Sequence, residues 1–167
     1  LNLKDRDNKL IELAKFPSEN PNPVIRISCD FKLLYANQPG RKLLDSENKD
    51  LSDATIPSTW IVKCSEMIKG EKKIITTEYK KNNRTYTVVF NNIRDCSYIN
   101  VYASDITERK FAEQKIKAIF NSTPVGMMLV NDKTEIIEIN REVVKLTGKD
   151  INKLIGVQPG EILNCIN

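Results

Sequence analysis

The chemistry available to this chain is limited by what it lacks. Its 167 residues include no histidine, and its four cysteines stand at 29, 64, 96 and 165. No two of them form a C-x-x-C pair, and their spacing fits neither a zinc set nor a disulfide framework. Free thiols and a cytoplasmic location are therefore expected. Without imidazole, the usual general base, transition-metal ligand and phosphorylatable ring are gone. No paired carboxylates, nucleophile–base pair or phosphate loop is visible, so no enzyme activity is expected of this segment. The stretch "VYASDITERK" offers electrostatics instead. Thr107 is placed to cap a helix with its hydroxyl. Glu108 follows at the positive end of that helix. Asp105 lies four residues before Arg109, a spacing that permits an ion pair.

The elements that must position these residues belong to a globular chain with 40% hydrophobic and 29% charged residues. The net charge of +4 is spread among mixed signs, which gives no dense patch for nucleic acid or acidic lipid. No apolar run reaches the ~18 residues of a membrane span, and no signal-peptide pattern is present. The chain opens on Leu1, which suggests a fragment of a longer protein.

Self-comparison exposes a repeat. "ENPNPVIRISCDFKLLYANQPGRKLL" (19–44) aligns without gaps on "NSTPVGMMLVNDKTEIIEINREVVKLT" (121–147) at an offset of 103 residues. Pro21 falls on Pro124, Asn37 on Asn140, Leu43 on Leu146 and Leu51 on Leu154. Each copy reads as strand (24–28; 127–130), polar turn, strand (32–36; 135–139), then an asparagine suited to capping a short helix. In the first copy, Trp60, Cys64, Met67 and Ile68 recur at helical spacing over 59–69, before Gly70. Two strands then flank Asn82-Asn83, a pair that tolerates positive φ in a tight hairpin. A third strand over 97–104 alternates Ile99, Val101 and Ala103 with Tyr98, Asn100 and Tyr102. The order predicts an α+β domain with a five-stranded antiparallel sheet and helices on one face.

"NPNPVIRISCDFKLLYAN", "VYASDITERK" and "IFNSTPVGMMLVNDKTEIIEIN" together resemble the PAS family of sensory domains of bacterial and archaeal signalling proteins. The resemblance divides the chain into an N-terminal linker helix (1–16), a first PAS domain (17–106), a linker helix (107–120) and the N-terminal half of a second PAS domain (121–167). That half lacks the later strands and is expected to be disordered, or to pack on the first unit or another chain. The resemblance also implies a sheet cradling a cavity, with Arg26, Trp60, Cys64, Tyr86 and Phe90 as candidate ligand- or cofactor-binding residues. The same apolar side chains would serve equally as a solid core, and Arg26 as an exposed strand residue.

The sequence names no cofactor. PAS domains hold heme usually through histidine, which this chain lacks. The flavin-cysteine motif of PAS photosensors does not fit either, because a cysteine three residues after Gly156 would fall at Pro159 rather than Cys165. No metal site is expected. The stripes Leu3-Leu10-Leu13-Ala14 and Ala112-Ile116-Ile119 suit packing on their own domain or a coiled-coil seam. The resemblance favours a homodimer through these flanking helices. The expected function is a signal-transduction module, with Asp105, Thr107 and Arg109 relaying a ligand- or partner-induced shift to a downstream effector domain, as in a two-component histidine kinase phosphorelay. The alternative is a ligand-free dimerisation scaffold.

Overall fold

The structure, a computed structural model, describes residues 15–70, 72–93 and 97–162. The expected 1–16 helix lies outside these apart from its last two residues, and helical backbone spans 15–19. Leu3, Leu10, Leu13, Ala14, Cys96 and Cys165 also lie outside. The chain divides into two compact units, Leu1–Glu108 and Arg109–Asn167.

The first unit has the expected architecture. Strands β1 (Val24–Ser28) and β2 (Leu33–Ala36) form a hairpin, followed by the short helix α1 (Gln38–Leu43). Helix α2 (Ser58–Lys69) then leads to β3 (Ile74–Lys81), β4 (Arg84–Ile93) and β5 (Tyr98–Asp105). The five strands form one sheet in the order β2-β1-β5-β4-β3, every pair antiparallel. The first and last strands are therefore neighbours, and the chain leaves from mid-sheet rather than from an edge. Asn82 and Asn83 adopt φ of 46° and 59°, as a tight turn between right-twisted strands requires.

Strand alternation and one helical stripe build the core. Ile25, Ile27, Val88, Phe90, Ile99, Val101 and Ala103 point inward from the sheet, and Trp60, Cys64 and Met67 meet them from α2. Ile68 departs from the expected stripe and is 42% exposed. The residue lies one position past Met67, and a step of 100° carries it off the buried face. Helix α1 comes close to β1: a Cβ on Gly40 would sit 2.9 Å from Ile25 Cγ1 and 3.2 Å from the Val24 carbonyl oxygen. Only a residue without a side chain fits there.

The second unit repeats the opening of the first. It contains β6 (Met128–Val130), β7 (Ile136–Ile139), α4 (Arg141–Thr147) and α5 (Pro159–Ile162). Helix α3 (Thr107–Ser122) precedes them, and the division between units falls within it. Position by position, the pairings Met128↔Ile139, Leu129↔Glu138 and Val130↔Ile136 reproduce Ile25↔Ala36, Arg26↔Tyr35 and Ile27↔Leu33, including the register shift between the last two pairs. Phe31 and Thr134, also 103 apart, share a φ of 62°.

One side chain explains this fidelity. Asn37 is 3% exposed, and Asn140 is fully buried. The Asn37 Oδ1 accepts from the Val24 and Gly40 amides, each at 2.9 Å. Its Nδ2 faces the carbonyls of Pro17, Asn20 and Asn22 at 3.1, 3.0 and 2.8 Å. Asn140 repeats the pattern, accepting from Met127 and Val143 and donating to Phe120 and Val125. Asn37→Ala would leave several buried backbone groups unpaired, each at a cost of about 1–3 kcal/mol. Urea denaturation of this variant should show the first unit destabilised by roughly 2–4 kcal/mol. A change below ~1 kcal/mol would show that water replaces the amide.

Candidate functional site

The strand-to-helix junction is more tightly organised than its sequence suggests. Thr107 does not spend its hydroxyl on its own helix. Its Oγ1 accepts from the Thr85 amide at 2.9 Å and donates to Asp105 Oδ1 at 2.5 Å. The cap comes from Asp105, whose Oδ1 accepts from the Thr107 amide at 2.9 Å. The expected Asp105–Arg109 pair is not formed. Asp105 Oδ2 meets Arg84 Nη1 at 3.0 Å, and Arg109 pairs with Glu113 at 3.2 Å along α3. The reason is topological. β4 pairs with β5, so the turn-end residue Arg84 lies beside the end of β5 and faces the carboxylate across the ladder. The Ile106 amide donates to the Thr85 carbonyl at 2.8 Å, which extends the ladder by one bond.

The start of α3 is therefore bonded to the tip of the β3–β4 hairpin by three interactions, made by Asp105, Ile106 and Thr107 with Arg84 and Thr85. The hairpin tip is anchored in turn. Lys81, only 16% exposed, pairs with Asp45 at 2.7 Å and donates to the Leu43 carbonyl at the end of α1. The Arg84–Asp105 pair also forms a shared wall between two polar clefts. One, of about 420 Å³, is bordered by Pro21, Pro39, Lys81 and Tyr86. The other, of about 590 Å³, is bordered by Asn82, Asn83, Thr107 and Glu108.

The candidate cavity residues do not fall together. Trp60, Cys64 and Phe90 share the buried cluster, and Tyr86 packs at its margin. Trp60 meets Phe90 and Tyr79 edge to face at 5.6 and 5.3 Å. Its Nε1, buried, has no hydrogen-bond partner among the described residues. Arg26 lies on the other face of the sheet, in line with Tyr35 on β2 and Asn100 on β5. An alternating strand that buries Ile25 and Ile27 must turn Arg26 away. Sequence reasoning missed Arg84 and Thr85 at the junction. The parity of the Asn82-Asn83 hairpin was the available signal, since it sets which residues meet the end of β5.

In the second unit, β6 pairs only with β7 among the described residues. Met127, Leu129, Val130, Ile137 and Leu146 are each at least 40% exposed. Ile116 and Ile119 of α3 are 68% and 57% exposed, and α3 buries none of its residues. No group of metal-ligating side chains is found among the described residues. No helix there is long and apolar enough to cross a membrane.

Residues 114–167 match the family model described as PAS domain. No match is found among curated proteins. Among solved structures, the chain is similar to the PAS domain of Bordetella pertussis BvgS, with 16% identity over 70% of this chain and 99% of that one, at a TM-score of 0.42. It is also similar to the PAS domain of an HTR-like protein from Haloarcula marismortui, with 15% identity over 62% and 99% of the two chains, at 0.40. Similarity to a phage VqmA–DPO complex reaches 19% identity and a TM-score of 0.45, over 71% of this chain and 63% of that one.

Two measurements check the local chemistry. Hydrogen bonds from Thr107, and then Arg84, hold the Asp105 carboxyl below the ordinary aspartate range. A depressed carboxylate stabilises the fold above its unfolded value of ~3.9, and that stabilisation is lost as pH falls through the lower folded value. In a carbon-detected NMR titration, Asp105 should titrate below the ordinary aspartate value, and Thr107→Ala should move it up. Burial pushes the Cys64 thiol up to about 11, with a lesser contribution from Cys29. Thiol labelling at pH 8 followed by peptide mass mapping should therefore modify exposed Cys29 and spare Cys64 until the protein unfolds.

Proposed function

We propose that this chain is a sensory signal-transduction module of the PAS type, and that it relays a conformational signal from the sheet of its first unit into α3. The PAS-domain match over 114–167 supports the sensory class. The observation that carries the relay is the Asp105–Thr107 junction, where one carboxylate and one hydroxyl bond both the hairpin tip and the start of the helix. A shift of β4 against β5 moves Arg84 and Thr85, and the first turn of α3 must follow or lose these bonds. A sixteen-residue helix carries such a motion over about 24 Å. The apolar exposure of Ile116 and Ile119 favours pairing of two copies along α3.

The receiving element in this reading is an effector such as a sensor histidine kinase domain elsewhere in the parent protein. Asp105→Ala tests the relay. It removes an exposed ion pair, worth about 0–1 kcal/mol on its own, together with the cap of α3, worth about 0.5–2 kcal/mol. The first unit should stay folded by circular dichroism. In a longer protein carrying its effector, output should lose its dependence on the input signal. Unchanged regulation in that protein would overturn the relay.

A further inference from the structure

The displacement of Arg26 from the core places it in a groove on the outer face of the sheet. This groove, of about 340 Å³, runs between the 15–19 helix and strands β2, β1 and β5. Phe16, Pro17, Val24 and Tyr102 give it apolar walls. Across its floor, Tyr35, Arg26 and Asn100 stand in one row, as direct partners on three adjacent strands. Arg26 is fixed there from two sides: its Nε donates to Asn100 Oδ1 at 2.9 Å, and its guanidinium lies 4.0 Å from the centre of the Tyr98 ring. Both contacts leave the two terminal nitrogens without a partner among the described residues. The Tyr35 hydroxyl, buried, is also without one.

We propose that this outer groove binds a small carboxylate with an apolar or aromatic body. A guanidinium held by its Nε and by stacking keeps its outer fork free, and that fork matches the two oxygens of a carboxylate. Preorganisation removes much of the ordering cost that a mobile arginine would incur on binding. The volume suits a compact ligand, near the lower end of ordinary small-molecule sites, and Tyr35 supplies a further unspent donor.

The repeat contains its own comparison. The same groove recurs in the second unit, lined by Ile119, Phe120, Thr123, Met127, Leu129 and Glu138. Each of these lies 103 residues after a lining residue of the first groove. Leu129 there replaces Arg26 and Glu138 replaces Tyr35, so a donor pair becomes a hydrocarbon and an anion, and the cation that lines this second groove, Lys117, shares it with the carboxylates of Glu113 and Glu138. Carboxylate binding is thus assigned to the first unit alone. It deepens the sensory reading by naming a ligand class. Its failure would leave the Asp105 junction unaffected, so the two readings fail separately.

Sodium phenylacetate is the probe, with phenylacetamide as its neutral counterpart, titrated into the 167-residue chain and followed by NMR. Saturable shifts are expected at the Arg26 Nε–Hε and at the amides of Tyr35, Asn100 and Tyr102, with none at Leu129 or Glu138. Arg26→Met should weaken binding about tenfold or more, Arg26→Lys several-fold, and Tyr35→Phe about fivefold. If Arg26→Met fails to fold, Tyr35→Phe and the shift map still decide. Equal binding of the amide, shifts centred on Trp60 and Phe90, or no saturation by tens of millimolar would each overturn the proposal.

Discussion

Both units depend on a buried asparagine amide. Asn37 and Asn140 follow a hairpin at the point where the backbone must turn from strand into helix. At such a corner the ladder bonds have ended and the helix bonds have not begun, so several N–H and C=O groups lose their partners together. A carboxamide is the side chain that both donates and accepts along one planar group. Its oxygen serves the first strand and the first turn of the helix, while its nitrogen holds the incoming segment. Aspartate lacks the donors, and serine lacks the reach to satisfy both sides. Strand, helix and approach segment are thereby fixed relative to one another, and the β1–β2 register follows.

The junction at Asp105 solves a related problem at the surface. Charge there adds little to stability, since Arg84 is mostly exposed and exposed pairs are weak. Its contribution is geometric. Thr107 Oγ1 accepts from one element and donates to another, and Asp105 divides its two oxygens between the α3 cap and the hairpin arginine. Neither residue can satisfy its partners unless strand and helix keep their relative angle. A weak but over-determined contact suits a relay, which has to exchange between states at low energetic cost.

The fold was legible because its signals are local. The Asn-Asn hairpin, the Trp60-Cys64-Met67 stripe and the alternation around Ile99 each rest on short-range periodicity, the 103-residue offset shows one such set of local patterns twice, and together they specify the sheet and its inner face. The contacts of the junction were less legible. Spacing along the helix favoured Asp105 with Arg109, but Arg109 finds Glu113 one turn on, and Asp105 finds Arg84 across a ladder. A cross-strand neighbour twenty-one residues away becomes visible only once register is known. For Arg26 the sequence left two readings open, a cavity residue beside Trp60 or a residue on the outer face of its strand, and alternation with Ile25 and Ile27 turns it outward.

The repeat separates what the frame requires from what each unit adds. The asparagine, the positive-φ turn residue and the register shift recur at the same offset, and these are backbone constraints. Packing at the helix–strand contact differs between the units. Pro23 and Gly40 in the first unit correspond to Gly126 and Val143 in the second. A Cβ on Gly126 would come within 3.3 Å of Val143 Cγ2 and 3.2 Å of Leu146. Each unit keeps a glycine near the corner, Gly40 on the helix of the first and Gly126 ahead of the strand of the second, and a Cβ on either would crowd its neighbours. Outward-facing positions are under no such constraint. There arginine and tyrosine in one unit give way to leucine and glutamate in the other while the backbone beneath them stays the same. The two units thus present one scaffold with different chemistry on the same face, and recognition is set by which side chains stand on it rather than by the fold.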